Sequence, residues 1–255
     1  MKNSYLHIGL GKTATSKLQR DTFPFIGKFL NLVYIGNENI PLNDKEIKIK
    51  AKITKHCHDL LFGKNIKKLN FDENFIISNE GLSSYRQPQY YKEFSEKNLE
   101  AFGENIHVIL VIRKPKDFLN SIYMQTCIHE KPFQEPEHFF LEKKDFTERL
   151  PNSTFLIDHY NYSDLINLYV NRFSCVSIIK YEALNEMLWA KEIFNLDEKQ
   201  VDLLKKKFTE NKLNQSLGLK SIRFIKFISK MLRLISFDFK HKYSNEIILK
   251  RHSLE

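Results

Sequence analysis

Seven residues, Ile106-His-Val-Ile-Leu-Val-Ile112, make an almost continuous apolar run that stops at Arg113. A strand of this composition has no face suited to water, so it belongs in a parallel sheet covered on both sides. Parallel neighbours require long crossovers, and the flanking sequence supplies them. Further short apolar runs lie at Tyr5–Leu10, Asn31–Gly36, Asn74–Gly81 and Cys175–Lys180. Helical patterns fall between them: Thr15 to about Leu30, Lys45 to Phe62 with Asp44 as N-cap, Gln87 to Phe102, a helix opened by Pro115, and Tyr160 to Phe173. Gly63 and Gly103 close two of these helices. A charged helix from Asp197 to Lys212 and a basic amphipathic one over Leu217–Phe239 complete the chain. Strand alternating with helix predicts an α/β fold of three layers: a mostly parallel sheet, helices on both faces and a helical C-terminal part. The expected organisation is a single domain over 1–255. An irregular insertion of the kind that carries specificity lies near 127–150, and the terminal helical region covers 197–242.

The second constraint is chemical. Tyr5 to Leu10 runs through Gly9 and Gly11 into Lys12, Thr13, Ala14, Thr15 and Ser16, and then into a helix. Strand, tight loop, helix start is an arrangement that binds anions, because free backbone N–H groups and the helix dipole meet there. Lysine and three hydroxyls add a mobile cation and further donors. An ordinary strand-to-helix turn is the bland alternative. The loop is not a Walker A sequence: G-x-x-x-x-G-K-[ST] needs a glycine where Leu6 stands. No strand end offers the magnesium-holding acid either, since one stops at Arg113 and another continues Ser78-Asn79-Glu80.

Arg113, two residues before Pro115, ends the apolar strand, and Ser121 lies two turns into the next helix. A guanidinium fork and a hydroxyl so placed can converge on one further anion. Glu80 follows its strand at the carboxyl end, where ligands of open α/β sheets bind. His56-Cys57-His58 invites a metal reading, but neighbouring residues on a helix point apart and no second ligand pair stands at useful spacing, so no metal is expected.

The two loops together resemble the sulfotransferases that use 3′-phosphoadenosine 5′-phosphosulfate (PAPS), in their carbohydrate and bacterial branches. His7-Ile-Gly-Leu-Gly11-Lys12-Thr13-Ala14-Thr15-Ser16 is similar to their phosphosulfate loop, with Gly11 for the usual proline, Ala14 for glycine and Ser16 for threonine. Arg113, Pro115 and Ser121 match the spacing of their 3′-phosphate motif. Weaker echoes are Ser78-Asn79-Glu80, Lys180-Tyr181-Glu182 and Asn214-Gln-Ser-Leu217. The resemblance implies a P-loop NTPase-like fold. It implies metal-independent, in-line transfer of a sulfuryl group from PAPS to an acceptor hydroxyl, on a carbohydrate or glycolipid. Gly11, Lys12, Thr13, Ala14, Thr15, Ser16, Arg113 and Ser121 would bind the donor. Lys12 would stabilise the leaving oxygen, and Glu80 would act as base. His129 and His159 are rival bases, and they with Arg86 are candidates for acceptor binding.

Composition leaves room for this reading. The chain has 255 residues, a formal charge of +9 and 42% hydrophobic residues, enough for a large core and suited to a polyanionic ligand. Nucleic acid is not the expected partner. Three scattered cysteines argue against a disulfide framework, and with no signal peptide evident at Met1–Ser4 the expected location is cytoplasmic. The basic face over 217–239 makes peripheral membrane contact a further expectation. Two competing readings remain open: a P-loop kinase acting on a small molecule, and a non-catalytic basic module docking on acidic glycan or membrane.

Overall fold

The computed structural model describes residues 4–36, 42–84, 87–129, 136–141 and 154–210, with backbone only for 127–129. Five parallel strands form the central sheet: β1 (Tyr5–Ile8), β2 (Val33–Ile35), β3 (Phe75–Asn79), β4 (His107–Ile112) and β7 (Cys175–Lys180). Their order is β2-β3-β1-β4-β7. The strand nearest the N-terminus is therefore the middle one. Leu6 sits opposite Ile77 of β3 on one side and Val108 of β4 on the other. The short helix α6 (Pro136–Phe139) leads into β5 (Phe140–Leu141), which pairs with β6 (Phe155–Leu156) in a second small parallel sheet.

Helices cover both faces, as the apolar strands require. On one face α3 (Asp44–Leu61), α4 (Tyr91–Phe102), α5 (Pro115–His129) and α7 (Tyr162–Val170) bury Ile53, Phe94, Phe118 and Leu165 against Leu6, Ile8, Ile77 and Leu110. On the other face α1 (Thr15–Asp21), α2 (Phe23–Leu30), α8 (Leu188–Phe194) and α9 (Glu198–Glu210) bury Leu18, Phe23, Phe194 and Leu204 against Tyr5, Ile76, Ile109 and Val111. Alternate strand residues thus serve opposite cores, the period-two rule of a pleated strand. Among the described residues no helix is long and apolar enough to cross a membrane.

The topology selects one place for a ligand. From β1 the chain steps outward past β3 to β2, with α1 and α2 on one face. Every later crossover steps the opposite way, with α3, α4, α5 and α7 on the other face. The connections from β1 and β3 therefore leave in opposite directions. The crevice beyond their carboxyl ends is the topological switch point.

Three details depart from the sequence expectations. The helix from Thr15 to Leu30 is two helices, broken at Thr22 (φ −126°, ψ −64°), because in one continuous helix Pro24 would have no N–H for the Arg20 carbonyl and its ring would meet that carbonyl, whereas in the first turn of α2 it is tolerated. The cap of α3 is Asn43, not Asp44: its Oδ1 accepts from the Lys45 and Glu46 amides at 3.1 and 2.9 Å, and Glu46 accepts from the Asn43 amide at 2.9 Å. That reciprocal pair is a capping box, and it fixes the start one residue earlier. The stretch read as one helix from Gln87 begins with a 3₁₀ turn at Pro88–Tyr90 before α4. The Leu217–Phe239 helix, the end of the Asp197–Lys212 helix and most of the 127–150 insertion lie outside the described residues.

Candidate functional site

The loop from Gly9 to Ala14 is held by its own side chains. The Leu10 carbonyl accepts from the Thr13 amide at 3.3 Å, from the Thr13 hydroxyl, and from the Thr15 hydroxyl at 3.3 Å. Thr13 and Thr15 are both buried. Gly9 is required by close approach: a Cβ there would lie 2.6 Å from Thr15 Cγ2. Lys12 and Ala14 are left-handed, with φ of 69° and 60°. Ala14 is the N-cap of α1 and gives no side-chain cap, so the first amides of that helix are left to other acceptors. Lys12, Ala14 and Ser16 are half-buried, and Gly11 is buried.

Arg113 closes on this loop from β4. Two further residues of β4 extend past Leu110, the partner of Ile8 at the end of β1, so Arg113 emerges beside the loop. Its Nη1 donates to the Lys12 carbonyl at 3.2 Å. Its guanidinium carbon lies 4.6 Å from the centre of the Tyr181 ring. Its own backbone N–H donates to the Tyr162 hydroxyl at 3.4 Å. Its Nε is buried and has no hydrogen-bond partner among the described residues. Ser121 is half-buried on α5, the helix that follows.

Glu80 enters from β3. Asn79 Oδ1 accepts from the Gly81 amide at 2.8 Å, which turns the strand into a 3₁₀ turn, Glu80–Leu82. The Ser83 hydroxyl then sits between the Glu80 carbonyl at 3.0 Å and the Gly9 carbonyl at 2.8 Å. Gly81 packs against Cys57 of α3, where a Cβ would come within 3.0 Å. The Glu80 turn is thus tied to the base of the Lys12 loop from one side and seated on α3 from the other.

Under the site lies a buried polar network. His7 Nδ1 is 2.7 Å from the Ser78 hydroxyl, and Gln19 Nε2 donates to the Ser78 carbonyl at 3.0 Å. Burial pushes the His7 pKa down to about 3, so this imidazole is neutral and belongs to the sheet, as expected for a strand residue.

The structure therefore brings Lys12, Arg113 and the Glu80 turn to one crevice. It turns the Thr13 and Thr15 hydroxyls inward onto the Leu10 carbonyl, which leaves the backbone amides at the start of α1 for any anion. Of the acceptor candidates, His159 is exposed in the 3₁₀ turn Ile157–His159, three residues before Tyr162. His129 ends α5, with its side chain outside the described set, and Arg86 lies outside it altogether. His56 bonds Asn98 at 3.0 Å, Cys57 is buried, and among the described residues no group of three metal-ligating side chains occurs. In the sequence Tyr181 stands out only as part of a motif echo, and nothing marks Ser83 or Tyr162. The signal for Tyr181 was its place directly after a strand, at the same end of the sheet as Arg113. No family model, curated protein or solved structure matches the chain.

Proposed function

We propose that this chain is a sulfotransferase that moves the sulfuryl group of PAPS to an acceptor hydroxyl, on a carbohydrate or glycolipid, using a fold of the P-loop NTPase type. The observation that carries the reading is the meeting of Arg113 with the Lys12 loop across 101 residues of sequence. A nucleotide with anionic groups at both its 5′ and 3′ positions needs two cationic anchors a short distance apart, and a mononucleotide triphosphate does not. The unpartnered Nε of Arg113 fits a phosphate, which would complete its fork. The donor supplies an electrophilic sulfur and a bisphosphate leaving group.

The roles proposed are those the resemblance implies. The Lys12 ammonium offsets negative charge building on the bridging oxygen. Amides at the start of α1 and the Ser16 hydroxyl hold the phosphosulfate, while Arg113 and Ser121 hold the 3′-phosphate. Glu80 receives the acceptor proton from the β3 side of the crevice.

Isothermal titration calorimetry with adenosine 3′,5′-bisphosphate, with and without EDTA, tests the assignment. We expect micromolar binding that is indifferent to chelation. Binding of ATP–Mg with no affinity for the bisphosphate would instead favour the small-molecule kinase.

A further inference from the structure

We propose that Tyr181 is a positioning residue for Arg113 and, through it, the residue that sets preference for a nucleotide carrying a 3′-phosphate. The inference rests on the donor reading above, but its structural basis is independent of that reading.

The register makes the pairing. Ile112 lies opposite Lys180 in the β4–β7 ladder, so the next residues, Arg113 and Tyr181, leave the sheet side by side. Tyr181 opens the 3₁₀ turn Tyr181–Glu186, and its ring lies under the guanidinium at 4.6 Å. The same turn places Glu182 Oε1 3.4 Å from the Lys114 amide. Two consecutive residues thus brace the Arg113–Lys114 corner, one through an aromatic face and one through a carboxylate.

A guanidinium has two bidentate edges, one through both Nη atoms and one through Nε and Nη2. Nη1 is turned to the Lys12 carbonyl. The edge that carries Nε is then the one left to take an anion, and Nε is buried without a partner among the described residues. Arginine has a long, freely rotating side chain. A ring face held against the guanidinium restricts that freedom, and the negative face of the ring favours the cation. Tyr181 therefore holds Arg113 in the one orientation that braces the Lys12 loop and presents the Nε edge together.

The test compares wild type, Tyr181→Phe and Tyr181→Leu by calorimetry, with adenosine 3′,5′-bisphosphate and with 5′-AMP as probes. In Tyr181→Leu the bisphosphate affinity should fall about tenfold, the scale of a partly desolvated cation–π contact, while 5′-AMP affinity stays within about twofold. Tyr181→Phe should keep the wild-type ratio. An unchanged ratio in Tyr181→Leu overturns the proposal, and so does an equal loss in Tyr181→Phe. If Tyr181→Leu does not fold, trifluorinated phenylalanine at position 181 keeps the ring and weakens its quadrupole. The ratio should then drop, and an unchanged ratio again overturns the proposal. If the wild type binds neither nucleotide, the donor reading fails by itself. Positioning is then read from the Arg113 Nε–H NMR signal of the ligand-free protein, assigned through Arg113→Lys. Slow exchange in wild type and Tyr181→Phe that becomes fast in Tyr181→Leu supports the proposal, and equal exchange in all three overturns it.

Discussion

Arg113 Nη1 donates to the main-chain carbonyl of Lys12 at 3.2 Å, so a residue at the end of β4 fixes the backbone beside the lysine of the first loop. Removing the guanidinium takes away a loop brace and, on the proposed function, an anion ligand. Arg113→Ala should weaken binding of adenosine 3′,5′-bisphosphate by about 10- to 100-fold, the range for a lost charged hydrogen bond. Calorimetry reads the affinity, and a thermal melt reads the accompanying loss of stability.

Lys12 stands in a different relation to the proposed reaction. There its ammonium would act on charge that develops only as the bridging bond breaks, so its loss should fall on turnover rather than on binding. Lys12→Ala should lower sulfuryl transfer from labelled PAPS by at least about 100-fold while bisphosphate affinity changes far less. Near-normal turnover would remove Lys12 from the assigned role.

Ala14 stands where the loop it resembles has glycine, and it carries the strain that this exchange implies. At φ 60° an L-residue pays a steric cost that glycine avoids. Ala14→Gly should raise stability by roughly 0.5–1 kcal/mol, seen as a higher urea midpoint. Gly9→Ala should do the opposite and more strongly, because its Cβ would meet Thr15 Cγ2 at 2.6 Å.

His7 predicts the acid limb of the stability curve. Its unfolded value is 6.5 and its folded value is about 3. Above pH 6.5 it is neutral in both states and has no effect. As pH falls from 6.5 towards 3 the unfolded chain takes up a proton that the folded chain refuses, so stability declines. The slope from this group approaches about 1.4 kcal/mol per pH unit. Urea titrations between pH 7 and pH 5 should show that decline, and His7→Gln should flatten it.

Most of the sheet was legible because buried strands are written as apolar runs: the Ile106–Ile112 run contains β4, whose residues from Val108 to Val111 are all buried. The helix α8 was not read, because it lies between Met187 and Asn195, both left-handed, and neither residue type announces such a turn as glycine does. Pro24 did mark the break at Thr22, but the apolar spacing on either side ran through it. At the site, Lys12 and Arg113 were readable from short spacings. Tyr181 was not readable as a partner of Arg113, since that pairing follows from the Ile112–Lys180 register, which no local sequence states. The inward turn of the Thr13 and Thr15 hydroxyls was likewise invisible, because a hydroxyl beside an anion loop serves the loop or the ligand equally well on paper.

The central position of β1 has a cost during synthesis. Tyr5–Ile8 emerges well before its ladder partners, Ile76–Asn79 and His107–Leu110. An apolar strand leaves the ribosome some seventy residues ahead of anything it can pair with in the finished sheet. Non-local pairing of this kind slows folding and leaves unpaired edges open to other chains. The segment that carries Lys12 should therefore be the one most in need of chaperone cover while the rest of the chain is being made.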